Sequence, residues 1–304
     1  MTKEQTTLFD AIDSAEANKE MTIRPDEWNE LLFPVECVEV FTNDFEVASV
    51  CKDESQELDK LGMTVNDFHK AIVNLNTKEV LSIVKNTYHP VSNIDVIEHF
   101  EKLLRDEGVK FEYGFATTAR NGRKTVFELI LPDMTIDLGN GDTQELRLYV
   151  QNSFDGGNAI RLDMGFFRHA CSNMALMVGN ADVNYKTSHI GDATDRIKTT
   201  FDLYITQKFN DAKNFCEGLS HKFFDSVDDV IKLIEDEENK IVANKYRQLV
   251  IDSWINNYNS GMSLWAVYNA YTHIITHEMR GTEIGKMDKL LKLSQKFNEL
   301  LKSK

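Results

Sequence analysis

The residues with chemical potential in this 304-residue chain fall into three groups. His273 and His277 stand four apart, a spacing that puts two imidazoles on one helical face and can hold a divalent metal. No Glu follows the first His, so the pair is not a zinc-protease motif. No metal or cofactor is expected on other grounds, and the alternative is that one His packs beside Trp265 and Tyr271 while the other faces water. A second group is the turn Asn152-Ser153-Phe154-Asp155-Gly156-Gly157. Its backbone N–H groups could cradle an anion, and the same composition also serves an ordinary hairpin. The third group interleaves bases with aromatics between residues 113 and 168: Arg120, Lys124, Arg147, Tyr149, Arg161 and Arg168 among Tyr113, Phe115, Phe166 and Phe167. Proteins that bind single strands use such mixtures, stacking bases on rings while cations follow the phosphates.

Other chemistry is missing from the chain. There is no Walker A loop, no G-x-G-x-x-G and no G-x-S-x-G. Cys37, Cys51, Cys171 and Cys216 form no C-x-x-C pair, which argues for reduced, packed thiols rather than a zinc ribbon or disulfide scaffold. No catalytic residue is assigned, and a non-enzymatic role is the expectation.

The elements that must position these residues follow from periodicity. Ser92 or Asn93 caps a helix whose apolar face is Ile94, Ile97, Phe100, Leu103 and Leu104, ended by Gly108. Residues 35–40 and 80–85 read as strands, and 64–73 as a short helix. Strands follow over 109–118, 125–131, 145–153 and 159–167, with hairpin turns at Asn121-Gly122 and Asp155-Gly156 and a close at Pro132-Asp133. Along the third of these, Arg147 and Tyr149 share a face opposite Leu146, Leu148 and Val150. Arg161 likewise faces away from Ile160 and Leu162. These cations and Tyr149 are therefore expected on or beside one exposed sheet face, which binds single strands or is simply solvated. A short helix is expected over 169–178. From residue 192 the period is helical, with helices near 226–238, 240–259, 262–279 and 286–303. The fold class is α+β: an antiparallel sheet of hairpins preceded by a helix and followed by a mainly helical region. The domain reading is an acidic arm with short elements over 1–60, an α+β core over 61–190, and a helical region over 191–304 packed on that core.

The net charge is −15. Residues 1–60 carry most of it, with 5 Lys/Arg against 16 Asp/Glu. The rest of the chain is nearly neutral and can still present a local basic surface. No signal peptide and no membrane span is expected, and the thiols fit a reducing cytoplasm.

Four segments resemble the phage/plasmid-like family known as domain of unknown function 932. They are Tyr88-His89-Pro90-Val91-Ser92-Asn93; Leu148 to Ala159, with Asn152, Ser153, Asp155 and Gly156; Phe167 to Asn173, with Arg168, Cys171 and Asn173 and then His189; and Leu264 to Thr272, with Trp265 and Asn269. The family's Arg-His-Thr triplet reads Ser188-His189-Ile190 here, so its Arg and Thr are lost. The resemblance implies a phage, prophage or plasmid setting in a bacterial cell. The functional expectation is an accessory protein of replication or recombination that binds single-stranded DNA. The alternatives are a module that blocks a host protein and a metal-dependent enzyme built on His273 and His277. Homo-oligomerisation is left open.

Overall fold

The computed structural model describes residues 21–42, 47–50, 64–119, 122–139, 142–156, 160–168, 173–177, 185–187, 209–236, 241–259 and 261–302. Its strands are β1 (Met21–Ile23), β2 (Val35–Thr42), β3 (Val47–Val50), β4 (Thr64–Asn74), β5 (Val80–Lys85), β6 (Glu112–Ala119), β7 (Lys124–Asp137), β8 (Thr143–Ser153), β9 (Ile160–Arg168), β10 (Asn173–Met177) and β11 (Tyr185–Thr187). Its helices are α1 (Asn93–Asp106), α2 (residues 209–221), α3 (Val227–Glu235), α4 (Asn244–Asn257), α5 (Leu264–His273) and α6 (Glu283–Lys302). The fold is α+β.

Two antiparallel sheets carry it. The larger runs β1-β6-β7-β8-β9-β10, with β11 pairing the far end of β9; the smaller runs β3-β2-β4-β5. The hairpins arise where the sequence places turn residues. Gly122 and Gly156 both adopt positive φ, 85° and 68°, a backbone region that costs glycine little and other residues more. Strand β8 is the central member, registered against β7 through Glu128↔Tyr149 and against β9 through Tyr149↔Asp163.

The two faces of this sheet differ. Phe127, Leu129, Leu146, Leu148, Val150, Leu162 and Phe166 alternate onto one face and are buried. Helix α1 packs there with Val96, Ile97, Phe100, Leu103 and Leu104, and Ser92 caps it by accepting from the Asp95 N–H. Ile94 is exposed instead of joining this face. Trp28, from the 3-10 turn Pro25–Glu30, wedges edge-on between Phe127 and Tyr113. Over the opposite face lies the start of α6, which with α5 packs on β10. The smaller sheet has its own core of Phe33, Ile72, Leu81 and Val84, completed by Phe154 from the β8–β9 turn.

Three sequence expectations are corrected. Residues 64–73 form strand β4, not a helix, because they pair between β2 and β5, and burial of four successive residues, Ala71 to Asn74, hides the period. Residues 173–177 form strand β10 rather than part of a helix, since β9 offers them an edge to pair with. Pro132 does not close β7; the strand runs on to Asp137 through a register shift between Leu131 and Thr135, where a residue without an N–H is tolerated. The helical period expected from residue 192 lies outside the described residues as far as residue 208. The expected 262–279 helix is α5 followed by a π-helix, Ile274–Glu278.

Candidate functional site

The polar face of the larger sheet is built around Glu128. It is a lone acid in the apolar run Val126-Phe127-Glu128-Leu129-Ile130-Leu131. Strand parity turns it away from the α1 core and toward Arg147 and Tyr149. Arg147 Nη1 donates to Glu128 Oε1 at 2.8 Å and the Tyr149 hydroxyl donates to the same oxygen at 3.1 Å. Glu128 Oε2 accepts the Phe115 backbone N–H at 3.2 Å, closing the bulge in β6 between Tyr113 and Ala116. Gly114 makes this possible, because a Cβ there would overlap the carboxylate. Bulges re-aim side chains, and this one leaves Phe115 54% exposed at the rim of a cavity.

That cavity has a volume of about 390 Å³. Its floor is Glu128, Arg147 and Tyr149, and its walls include Phe115, Phe167 and Val126; Thr276, Glu283 and Met287 reach in from the π-helix and α6. Arg147 lies with its guanidinium carbon 3.8 Å from the Phe167 ring centre and also donates to Glu145 at 3.0 Å. Burial, then the neighbouring Glu128 charge, pushes the Tyr149 hydroxyl well above its ordinary pKa, so it stays a proton donor. The site is thus apolar at the sides, with a fixed donor–acceptor floor, the usual make-up of a small-ligand pocket.

The structure brings Arg147 and Tyr149 together, as parity predicts, and corrects their exposure. Tyr149 is 3% exposed and the Arg147 side chain 13%. The other expected cations among the described residues are also matched to carboxylates. Arg161 bonds Asp163 at 2.5 Å and reaches Asp288 of α6 at 3.3 Å. Arg168 forks onto Asp142 at 2.6 and 2.9 Å, and Lys124 lies 3.4 Å from Asp155. Asp163 is itself buried, which raises its pKa, and its Oδ1 has no hydrogen-bond partner. Sequence reasoning missed Glu128 and Asp142. Glu128 carried a signal, as an acid inside an apolar strand; Asp142, in the β7–β8 turn, carried none. Arg120, Cys171 and His189 lie outside the described residues, as does the side chain of Asn173.

The residues that carry the family resemblance meet in space by pairs of segments. Asn152 Nδ2 donates to Val91 O and to Asn93 Oδ1, both at 2.9 Å, and Asn93 Nδ2 donates to Leu31 O. The Tyr88 hydroxyl donates to Ser153 O at 2.7 Å, and Ser82 donates to Phe154 O. The first and second segments therefore lock together on the α1 face, and the Asp155-Gly156 turn docks on the smaller sheet. The third and fourth segments converge on Asp142, where Trp265 Nε1 joins Arg168 at 3.0 Å. Asn269 is buried and donates to Trp265 O within α5. His273 and His277 face each other with ring centres 4.9 Å apart. Among the described residues, no set of three or more His, Cys, Asp or Glu is arranged to hold a metal. No helix among them is long and apolar enough to cross a membrane.

Fold and site together define a two-sheet α+β protein with a pocket on the polar face of its larger sheet, beneath a helical region. The profile of the family described as domain of unknown function (DUF932) matches residues 80–298, which span both the locked segments and the pocket's helical side, and the chain belongs to that family. No curated protein and no solved structure matches the chain.

Proposed function

We propose that this protein binds single-stranded nucleic acid by taking one unpaired base into the pocket above β7 and β8, as a cytoplasmic accessory factor in replication or recombination of a phage, prophage or plasmid genome. The genomic setting rests on the sequence resemblance. The base-binding role rests on the wall chemistry of the pocket. Phe115 at the rim offers a ring face on which a base can stack beside the Arg147 guanidinium that already lies on the Phe167 ring, and Glu128, Tyr149 and Thr117 line the same space with an acceptor and hydroxyl groups. A cavity of about 390 Å³ suits one planar group better than a folded chain segment. Because Arg147, Arg161, Arg168 and Lys124 each face a carboxylate, phosphates stay outside, and stacking rather than charge supplies the affinity.

Fluorescence anisotropy with labelled single-stranded DNA, single-stranded RNA and duplex DNA at two salt concentrations tests this. Single strands are expected to bind better than duplex. The salt slope should be shallow, near one phosphate contact at about 0.7 rather than several. Phe115→Ala should weaken binding by about 1–3 kcal/mol and leave the slope alone. If the full chain binds neither DNA nor RNA strands at low salt, the reading fails, and pull-down of a host protein partner becomes the next experiment.

A further inference from the structure

At the end of α5 the backbone hydrogen bonds lengthen their reach, and Ile274–Glu278 is a π-helix. Such turns are rare and concentrate at functional sites. A turn wider than the 3.6 residues of an α-helix sets residue i+4 more nearly above residue i. His273 and His277 are so placed, with ring centres 4.9 Å apart and planes inclined at 50°. Two imidazoles bound to one tetrahedral ion at N–metal distances of about 2.0–2.1 Å hold their ring centres about 5 Å apart. The observed separation therefore matches that of two ligands on one ion.

A second observation points the same way. His273 Nδ1 is buried and makes no hydrogen bond, and a buried ring nitrogen in that condition calls for a water or an ion. Burial, followed by the neighbouring His277, also depresses the His273 pKa. The Glu278 carboxylate is close enough to act on His273 electrostatically.

We propose that His273 and His277 form a two-imidazole clamp for a borderline divalent transition metal of the Zn²⁺, Ni²⁺ or Cu²⁺ type, on the turn whose Thr276 forms part of the pocket wall. Two protein ligands leave coordination positions for water or for a donor atom of a bound ligand. Imidazole nitrogen selects these ions over Mg²⁺ and Ca²⁺, which prefer oxygen. The clamp needs no nucleic acid and stands apart from the base-binding reading.

The test is metal titration of the full chain after chelator treatment, read by thermal shift and by calorimetry. Zn²⁺, Ni²⁺ and Cu²⁺ should each raise the melting temperature, with Cu²⁺ binding tightest, and Mg²⁺ should do nothing. His277 is exposed, so His277→Ala should fold, and it should weaken metal binding by more than the roughly tenfold that even an outer-shell change costs. His273→Gln should do the same. His221→Ala, at an exposed His elsewhere, should match the parent. The clamp is refuted if none of the three metals shifts the melting temperature or gives heat up to the millimolar range. It is refuted equally if His277→Ala responds to metal as the parent does.

Discussion

Strand β8 carries polar residues on both of its faces, and the two sets work in opposite ways. On the α1 side, the Asn152 amide donates to the Val91 carbonyl and to Asn93, which in turn donates to the Leu31 carbonyl, and at the strand's end the Tyr88 hydroxyl donates to the Ser153 carbonyl. On the α6 side, Arg147 and Tyr149 share a carboxylate and border open space. Both sets are buried, yet only one faces a cavity. Buried amides that bond one another and the backbone define where segments meet, and here only the Asn152 Nδ2 side of the amide is matched, its Oδ1 having no partner. Buried charges at a cavity cost desolvation, and here they keep a donor and an acceptor oriented toward a volume that a ligand can fill. Asn152, Arg168 and Trp265 of the family segments thus tie segments together, whereas Glu128, Arg147 and Phe115 line the pocket, with Tyr149 and Phe167 belonging to both a family segment and the pocket.

Several changes would break or sharpen this division. The largest effect is expected from Glu128→Ala, which strips Arg147, Tyr149 and the Phe115 N–H of their shared acceptor at once. Breaking a buried pair from one side costs about 3–5 kcal/mol, and urea denaturation should register it. A loss under about 1 kcal/mol would mean that the floor is not preorganised around Glu128. Asn152→Ala should cost about 1–3 kcal/mol by leaving Asn93 and Val91 O short of a donor. Its nucleic-acid affinity, measured where the variant is folded, should equal the parent's; a large loss of affinity would erase the distinction between the two faces. Phe115→Ala is the mirror case. Its ring is exposed, so stability should shift by no more than about 0.5 kcal/mol while single-strand binding falls.

The smallest effect concerns Asp163, whose pKa burial raises above the ordinary 3.8. The folded protein then binds the proton more readily than the unfolded chain. Its contribution is fully present below the unfolded value and is lost as pH rises through the folded one. Asp163→Asn lacks this term. The parent should therefore gain stability relative to the variant as pH falls from 7 toward 4, and melting curves of both proteins across that range check the sign. A difference that does not change with pH would place Asp163 in contact with solvent.

Much of the larger sheet could be read from pattern. Alternation along 145–153 and 160–167 assigns faces, Asn121-Gly122 and Asp155-Gly156 mark the hairpins, and Ser92 with Gly108 brackets α1. Those signals are local, arising from φ preferences, caps and the two-residue period of a strand. Where local signals fell short, a distant partner decided. The 64–73 segment has no clean alternation and became a strand because β2 and β5 flank it. The Met174-Ala175-Leu176-Met177 run has no period of its own and became β10 because β9 had a free edge.

The candidate site divides in the same manner. Sequence by itself determined which face of β8 carries Arg147 and Tyr149, since side-chain parity is a property of a single strand. It also determined the four-residue spacing of His273 and His277. Only the tertiary structure decided that Glu128, 19 residues before Arg147 in the chain, would neutralise it. Tertiary packing likewise decided that α6 would lie over the expected open face and leave a pocket, and that a π turn would bring the two imidazoles together. The physical reason is range. Periodicity acts between residues a few positions apart, whereas the charge pairing, burial and enclosure that make a site depend on groups that meet only once the sheets and helices have packed.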